Sequence, residues 1–594
     1  MDDALLRYYE DELTFIRKMG TEFAKKYPKI AGRLLLEPDK CEDPHTERLI
    51  EAFAFLAARI HRKIEDDFPE ITESLLGIVY PHYLVPIPSM SVVRFEPLKR
   101  AVPPGGYAIG RNTSLYSKQV KGSPCHFVTS YPVTLWPLEV ASARLQEPKR
   151  AVKGSQQALV LQLKTENNLS FSQLGCDRLR FFLNGPAQHV FPLYELLFNR
   201  VCHLAGESNA RGRREEIPFS PQDIVPVGFE PEEGILPLPP RSFPGYLLLF
   251  EYFCFPEKFL FFDLKGLDRL KGKELGDTLE LWFYLDRPAK AGLVVNPETF
   301  CLQAAPAVNL FKRVAEPIWV DQTRTEYQVI PDVGRLDSTE VYSVDSVTAP
   351  GPVEFHPFYS VRRHLEAEED RGQRAFWRAT RRPSGRKGDN GTEVFLSFTD
   401  WDLKPADPGV ETLMVNVTCT NRDLPARLPF GDPSGDLETE LSGPVARVHC
   451  LVKPTAARRP NLGAALQWRL VSHLSLNYLS LVEGGEEALK EILKLYDFDN
   501  SPVTRQQVEG IVSVQSEYST KRIGGAFCRG VQVKIQFDEE KYVGAGLYLF
   551  ASVLERFLGQ YVSVNSFSQL TARSLQKAEV LKTWPPRNGN RILL

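Results

Sequence analysis

The sequence predicts an α+β, multidomain protein: an N-terminal long-helix region, then β-rich domains, then a mixed α/β C-terminal domain. Three observations carry this. Apolar residues recur at three- and four-residue steps through the first 90 positions. After Pro88 short runs rich in Val, Phe, Tyr and Leu take over, separated by Gly, Pro, Asn and Asp. The chain has 594 residues, and at roughly 150 residues per domain that is a prior of about four domains. With 43% hydrophobic and 25% charged residues the composition is ordinary globular, which excludes wholesale disorder. The expected divisions are 1–90, 91–291, 292–455 and 456–594.

In the first region Leu5, Tyr9, Leu13, Ile16, Met19, Phe23 and Tyr27 form one stripe, and Pro28 stops it. A helix from Asp3 to Tyr27 would span roughly 37 Å. Acids crowd its start (Asp2, Asp3, Glu10, Asp11, Glu12) and bases its end (Arg17, Lys18, Lys25, Lys26), which suits the helix dipole. A second helix starts with Asp43 as cap and Pro44 at the first helical position, and carries Leu49, Phe53, Leu56, Ile60, Ile64 and Phe68 on one face. A short third helix is expected from about Glu70 to Tyr80. Leu6, Tyr8 and Phe15 fall off the first stripe, so that helix is apolar on more than one side. Either a larger intramolecular core or a bundle with partner chains satisfies this pattern. The candidate contact residues are Tyr8, Tyr9, Leu13, Phe15, Ile16, Phe23, Phe53, Phe55 and Leu56.

The β-rich part opens with SVVRF, FVTSYPVTLW, ALVLQLKT, RLRFFL and LELWFYL, interrupted by an amphipathic helix near Pro192–Leu204. Gly206–Arg241, rich in Pro, Glu and Gly, reads as a long surface loop. EPIWV, YQVI, EVYSV, EVFLSF, LMVNVTCT and ARVHCLV make the second β block, with Arg381–Gly391 as a hairpin tip or loop. Toward the end, helices are expected over Asn461–Val482, Glu486–Asp497 and Gly544–Gln560, and strands at GIVSVQS, VQVKIQF and YVSVNSF.

The chemistry-bearing patterns are sparse. Nine Cys stand singly and no C-x-x-C occurs, which argues against a disulfide framework or a zinc ribbon. In Cys125-His126, Cys202-His203 and His449-Cys450 the neighbours point to opposite faces of a strand, so a buried Cys beside a half-exposed His is the reading. No P-loop, H-E-x-x-H or G-x-S-x-G is present. Gly524-Gly525 reads as a turn. The basic, aromatic stretch Arg371–Lys387 invites a nucleic-acid reading, but Glu366, Glu368, Glu369 and Asp370 dilute it and the net charge is −3. A strand anchored through Ala375–Arg378 accounts for it better. The acidic N-terminus lacks a secretory signal, and no run approaches the 18 apolar residues of a membrane span. A cytoplasmic chain with no catalytic, cofactor or metal residues is expected; a β-rich carbohydrate-active enzyme or binding protein is the alternative.

A collinear set of short motifs then carries a resemblance. It begins with Tyr8-Tyr9-x-x-Glu12-Leu13, Phe23-Ala24-Lys25-Lys26-Tyr27-Pro28 and Asp43-Pro44-His45. It continues through Glu47-Arg48-Leu49, Ala54-Phe55-Leu56-Ala57-Ala58-Arg59, Tyr80-Pro81-His82-Tyr83 and Ile87-Pro88-Ser89-Met90. In mid-chain come Pro306-x-x-Asn309-Leu310-Phe311, Glu340-Val341-Tyr342 and Thr420-Asn421-Arg422-Asp423-Leu424-Pro425. Trp468-Arg469-Leu470, Arg529-Gly530, Leu549-Phe550-Ala551-x-Val553-Leu554-Glu555-Arg556-Phe557 and Asn565-Ser566-Phe567 close it. In these the chain resembles the TssF (ImpG, VasA) family of type VI secretion baseplate subunits, over its whole length. The resemblance implies a wedge subunit of a contractile injection machine, without catalysis, metal or cofactor. It implies two copies per TssG-like chain, TssK-like and TssE-like partners, a tail-spike hub, and a sheath that polymerises on the ring. It places the complex in the cytoplasm, docked at the inner-membrane secretion complex, with no nucleic acid and no direct membrane insertion. It also gives the multi-sided N-terminal helices a use, in a bundle shared between chains.

Overall fold

The computed structural model describes the chain apart from residues 1–8, 11, 15, 17–18, 20–25, 27–43, 66–68, 151, 211–212, 240–241, 322, 352, 359–374, 387, 401–404, 461–484, 499–500, 524–525, 563–565, 578 and 590–594. The predicted first helix beyond scattered helical positions, the Asp43 cap, the helix over Asn461–Val482 and the Gly524-Gly525 turn lie outside the described residues. Two compact units emerge: Met1–Gly77 with Asn461–Ser475, and Ile78–Pro460 with Leu476–Leu594.

In the first unit the second helix runs Pro44–Glu65, with Pro44 at the predicted first position. The third helix, Pro69–Val79, begins on a proline for the same reason: the missing N–H is one that no helix start can use.

The second unit is built on a closed barrel. Around it run Met90–Pro97, Ala304–Val308, Ser123–Thr129, Ser114–Val120, Leu437–Thr439 and Val445–Cys450, the last pairing back onto the first at Val93↔Cys450. Closure leaves no strand edge to protect. Segments on both sides of residue 291 therefore share one sheet.

Between the barrel strands lies a five-stranded sheet in the order Arg213–Phe219, Val201–Ala210, Thr278–Leu285, Gln157–Thr165 and Leu138–Gln146. Beside it is a four-stranded sheet containing Phe261–Lys265 and Arg178–Leu183. This corrects the expected loop over Gly206–Arg241: most of its first half is an antiparallel hairpin, with Glu216↔Glu207 and Ile217↔Gly206 in register. It also corrects the expected helix near Pro192–Leu204. The helix is Ala187–Glu195, a wide helical turn follows to Arg200, and Val201 already starts the strand.

The described residues between 311 and 420 form a two-sheet sandwich. Thr412–Thr420 and Glu340–Thr348 lie in one layer, Thr392–Thr399 and Phe376–Pro383 in the other. Val415, Val417, Leu396 and Trp377 share the core between them. The Phe376–Pro383/Thr392–Thr399 hairpin turns within the expected Arg381–Gly391 tip, but Arg381, Arg382 and Pro383 still pair as strand, with Val394, Glu393 and Thr392.

The C-terminal part is mixed α/β. A long hairpin, Ile511–Ile523 and Ala526–Phe537, is extended by Ser566–Ser574, which runs parallel to Ala526–Phe537. Parallel neighbours need a crossover, and the helix Leu547–Gln560 supplies it. That helix is buried along nearly its whole length. Gly530 faces Phe567 in register, and a Cβ there would meet Phe567 O at 2.2 Å and its ring at 2.4 Å. The two residues fit only because one of them lacks a side chain.

Candidate partner interface and polar junction

The Pro44–Glu65 helix buries its small side and shows its large one. Ala54 and Ala58, one turn apart, are fully buried, while Leu49, Phe53 and Leu56 are 71%, 65% and 55% exposed. Positions i, i+4 and i+7 lie on one face, so these three side chains form a continuous apolar stripe in water. Phe55 is half-buried and meets the ring of Tyr9 edge-on at 6.3 Å. Leu13 and Ile16 are half-buried as well. Among the nine predicted contact residues, the structure thus places Phe53 and Leu56 in the stripe and Tyr9 beside Phe55. Tyr8, Phe15 and Phe23 lie outside the described residues. Leu49, which the sequence assigned to the helix face but not to the contacts, is the most exposed of the stripe.

The mid-chain motifs meet in the second unit. Asn309 Nδ2 donates to His126 O at 2.7 Å and to Asn421 Oδ1 at 2.8 Å, and Asn309 Oδ1 accepts from Asn421 N at 2.6 Å. His126 N also donates to Asn421 Oδ1, at 2.8 Å. Both asparagines are buried, so each needs these partners. His126 is stacked between Tyr116 and Phe311, with centroids 4.5 and 5.1 Å away. Burial pulls its pKa down, which keeps the ring neutral between them.

Next to this pair sits a charged relay. Arg381 donates to Thr392 Oγ1 at 2.7 Å, Thr392 Oγ1 donates to Glu340 Oε1 at 2.7 Å, and Arg459 reaches Glu340 Oε2 at 3.1 Å. Arg381 also donates to the carbonyls of Val341 and Tyr342, each at 2.8 Å. Burial lowers its guanidinium pKa to about 10, against the pull of nearby Glu340. Arg459 also pairs with Asp423. Arg422 adopts a left-handed φ of 51°, which a non-glycine residue holds only when its surroundings fix it. Here its Nε donates to Thr339 O at 3.0 Å and its Nη1 to Asp389 Oδ1 at 2.6 Å. Barrel and sandwich are fastened by hydrogen bonds between motifs about 110 residues apart in sequence, Asn309 and Asn421 being separated by 112.

A cavity of about 310 Å³ opens beside this junction, walled by Glu340, Thr392, Glu393, Arg386 and Arg422. Its charges are committed to one another: Arg386 pairs with Asp337, Asp389 and Glu393. Described residues of the basic stretch are spent inside the chain in the same way. Phe376 and Trp377 are buried, Trp377 Nε1 donates to Phe355 O at 2.8 Å, and Arg382 pairs with Glu326 at 2.8 Å. Among the described residues no cluster of three or more His, Cys, Asp or Glu could hold a metal. Cys125 and Cys450 are buried beside half-exposed histidines, as the strand reading expects; Cys202 departs from it and is exposed. No helix among the described residues is long and apolar enough to cross a membrane.

The family described as "Type VI secretion system, TssF" matches residues 1–591. This chain belongs to the TssF family. Type VI secretion system component TssF1 of Pseudomonas aeruginosa is 36% identical, over 100% of both chains. A chain of a TssK-TssF-TssG baseplate subcomplex solved by cryo-electron microscopy has a TM-score of 0.74 at 28% identity, covering 92% of this chain and 99% of its own. A chain of a type VI secretion baseplate complex has a TM-score of 0.63 at 27% identity, covering 99% of this chain and 100% of its own. The TssF-family chain described here is a structural component of a type VI secretion baseplate. The junction built from Asn309, Glu340, Asn421 and Arg422 gives those motifs a role inside the second unit, where they hold the fold together.

Proposed function

We propose that this chain is a wedge subunit that holds a TssG-like chain through its N-terminal helical region and assembles with a TssK-like partner. In this reading two copies serve one TssG-like chain and contact each other. A TssE-like chain completes the wedge, and six wedges ring the tail-spike hub and seed the sheath. The complex works in the cytoplasm, against the inner-membrane secretion complex. Its work is mechanical and involves no catalysed reaction: interfaces that hold when the machine is loaded and rearrange when it fires.

The observation that carries the reading is the stripe of Leu49, Phe53 and Leu56 in water on a helix that buries Ala54 and Ala58. Burying such a stripe in a bundle gains about 25 cal/mol per Å² of apolar surface, and leaving it exposed invites association. Tyr9, Leu13, Ile16 and Phe55 lie in the same region and extend the surface, as do Tyr8, Phe15 and Phe23 by sequence. The test is purification of the tagged full chain from its native cells, with mass spectrometry and native mass of the eluate. Recovery of TssG-, TssE- and TssK-like chains, with this subunit at twice the TssG-like chain, is expected. A clean monomer from cells that express the other subunits overturns the reading.

A further inference from the structure

The C-terminal hairpin carries a second surface that the wedge reading does not use. Pairing from Ser513↔Gln536 to Arg522↔Phe527 fixes which side chains share a face. One face holds Val514, Ser516, Tyr518, Thr520 and Arg522 on the first strand, and Phe527, Arg529, Val531, Val533 and Ile535 on the second. Near the base this face is core, with Val514, Val531, Val533 and Ile535 buried. Toward the turn it runs out from under its cover. Tyr518 is 71% exposed and Phe527 is 80% exposed, and Thr520, Arg522 and Arg529 are exposed between them. The hydrophobic face of the strand pair continues past the core that it serves.

Charge separates this face from its reverse. On the reverse side Lys534 pairs with Glu517 at 2.7 Å and Lys521 bonds Gln569. On the exposed face Arg522 and Arg529 make no ion pair among the described residues. None of the ten side chains on that face is acidic, and neither are Ser566, Ser568, Leu570 and Ala572, which continue it on the parallel neighbour. Two guanidiniums thus flank an exposed Phe with no carboxylate among the described residues paired to them. In addition, Ile511–Ile523 is the outermost strand of its sheet, 13 residues long. Its outer main-chain groups form a row of donors and acceptors of the kind that another strand completes.

We infer that the far end of this hairpin is a docking site for an extended, carboxylate-bearing segment of another protein, laid along the outer strand with apolar side chains against Tyr518 and Phe527 and carboxylates on Arg522 and Arg529. Arginine forks match carboxylates bidentately, and the adjacent rings exclude water from those pairs. The site goes beyond the wedge reading and does not depend on the N-terminal helices.

The test places a photo-reactive benzoylphenylalanine at position 527 of the full chain in its native cells. After irradiation the adducts are identified by mass spectrometry, and TssG- and TssK-like chains recovered on the tag report wedge assembly separately. The expected result is one dominant protein adduct on a segment rich in Asp and Glu. Its yield should fall at least tenfold in the Arg522→Glu/Arg529→Glu background and persist in Arg522→Lys/Arg529→Lys. An adduct on lipid or nucleic acid, an adduct on a carboxylate-poor segment, a yield indifferent to charge reversal, or no adduct at all overturns the inference. Loss of the TssG-like chain with the acidic adduct intact would overturn the wedge reading alone.

Discussion

Asp389 shows how one residue can decide where a fold gives way. Burial by itself would raise its pKa. The hydrogen bond from Arg422, with the Gly391 amide at 2.9 Å, outweighs that and holds the carboxyl well below the usual carboxylate range. A depressed folded-state pKa means stability that is present above the unfolded value, about 3.9, and is lost as pH falls through the folded one. Below about pH 4 the wild-type chain should therefore lose stability in part through this group. Asp389→Asn should be less stable at neutral pH, because Arg422 at its strained φ loses its counter-charge. It should also show a shallower fall on the acid side. Urea midpoints measured from pH 7 down to pH 3 check this, and parallel acid limbs for the two proteins would assign the pH dependence to other carboxylates. The asparagines nearby were legible in sequence only as members of motifs. That Asn309 and Asn421 bond each other depends on barrel closure, which no local pattern announces.

Helices and strands differed in how openly their residues declared them. Pro44 marked a helix start because a proline fits there and almost nowhere else in a helix, and Pro69 proves to open the third helix, one residue before the expected Glu70. The hairpin of Val201–Ala210 and Arg213–Phe219 gave no such sign. Its residues Glu207-Ser208-Asn209 and Arg213-Arg214-Glu215-Glu216 are polar without an apolar alternation. Pairing makes it a strand: Phe283↔Leu204 and Leu281↔Gly206 along one side, and Lys149 on Glu207 at 2.7 Å and Arg150 on Glu216 across its face. Gly206 is required there, since a Cβ would meet the Phe219 ring at 2.8 Å. In the Pro244–Cys254 helix Glu251 interrupts an apolar run, yet it is buried. Its Oε1 accepts from Ile235 N at 2.7 Å and Leu236 N at 2.9 Å, and its other oxygen pairs with the buried Lys258. Glu251→Ala should cost about 3–5 kcal/mol, because Lys258 and two amides lose their partner inside the protein. A Glu251→Leu/Lys258→Met pair should cost less than Glu251→Ala, since no charge is then stranded. Chemical denaturation of the three proteins tests the order, and a double variant as unstable as the single one would show that the amide bonds dominate.

At the scale of the molecule, an apolar stripe can be a misread core or an unfinished interface, and the two predict opposite responses to one change. If Leu49, Phe53 and Leu56 served the lone chain's core, making them polar would expose more apolar surface and lower stability by roughly 2–5 kcal/mol for each large side chain lost. If they await a partner, the same change removes apolar surface from water and relieves self-association. Their exposure keeps them out of the lone chain's core, and the function proposed above assigns them to the second class. The Leu49→Gln/Phe53→Gln/Leu56→Gln chain, expressed alone, should therefore be more soluble than wild type and equally stable to urea. Co-expressed with the TssG-like subunit, it should recover at least tenfold less of that subunit, a difference of about 1.4 kcal/mol or more in the interaction. Light scattering of the lone chain and densitometry of the co-purified pair measure the two effects on one preparation. Opposite signs identify an interface that the sequence wrote as a helix face and only assembly completes. A less stable, less soluble chain would return the stripe to the core.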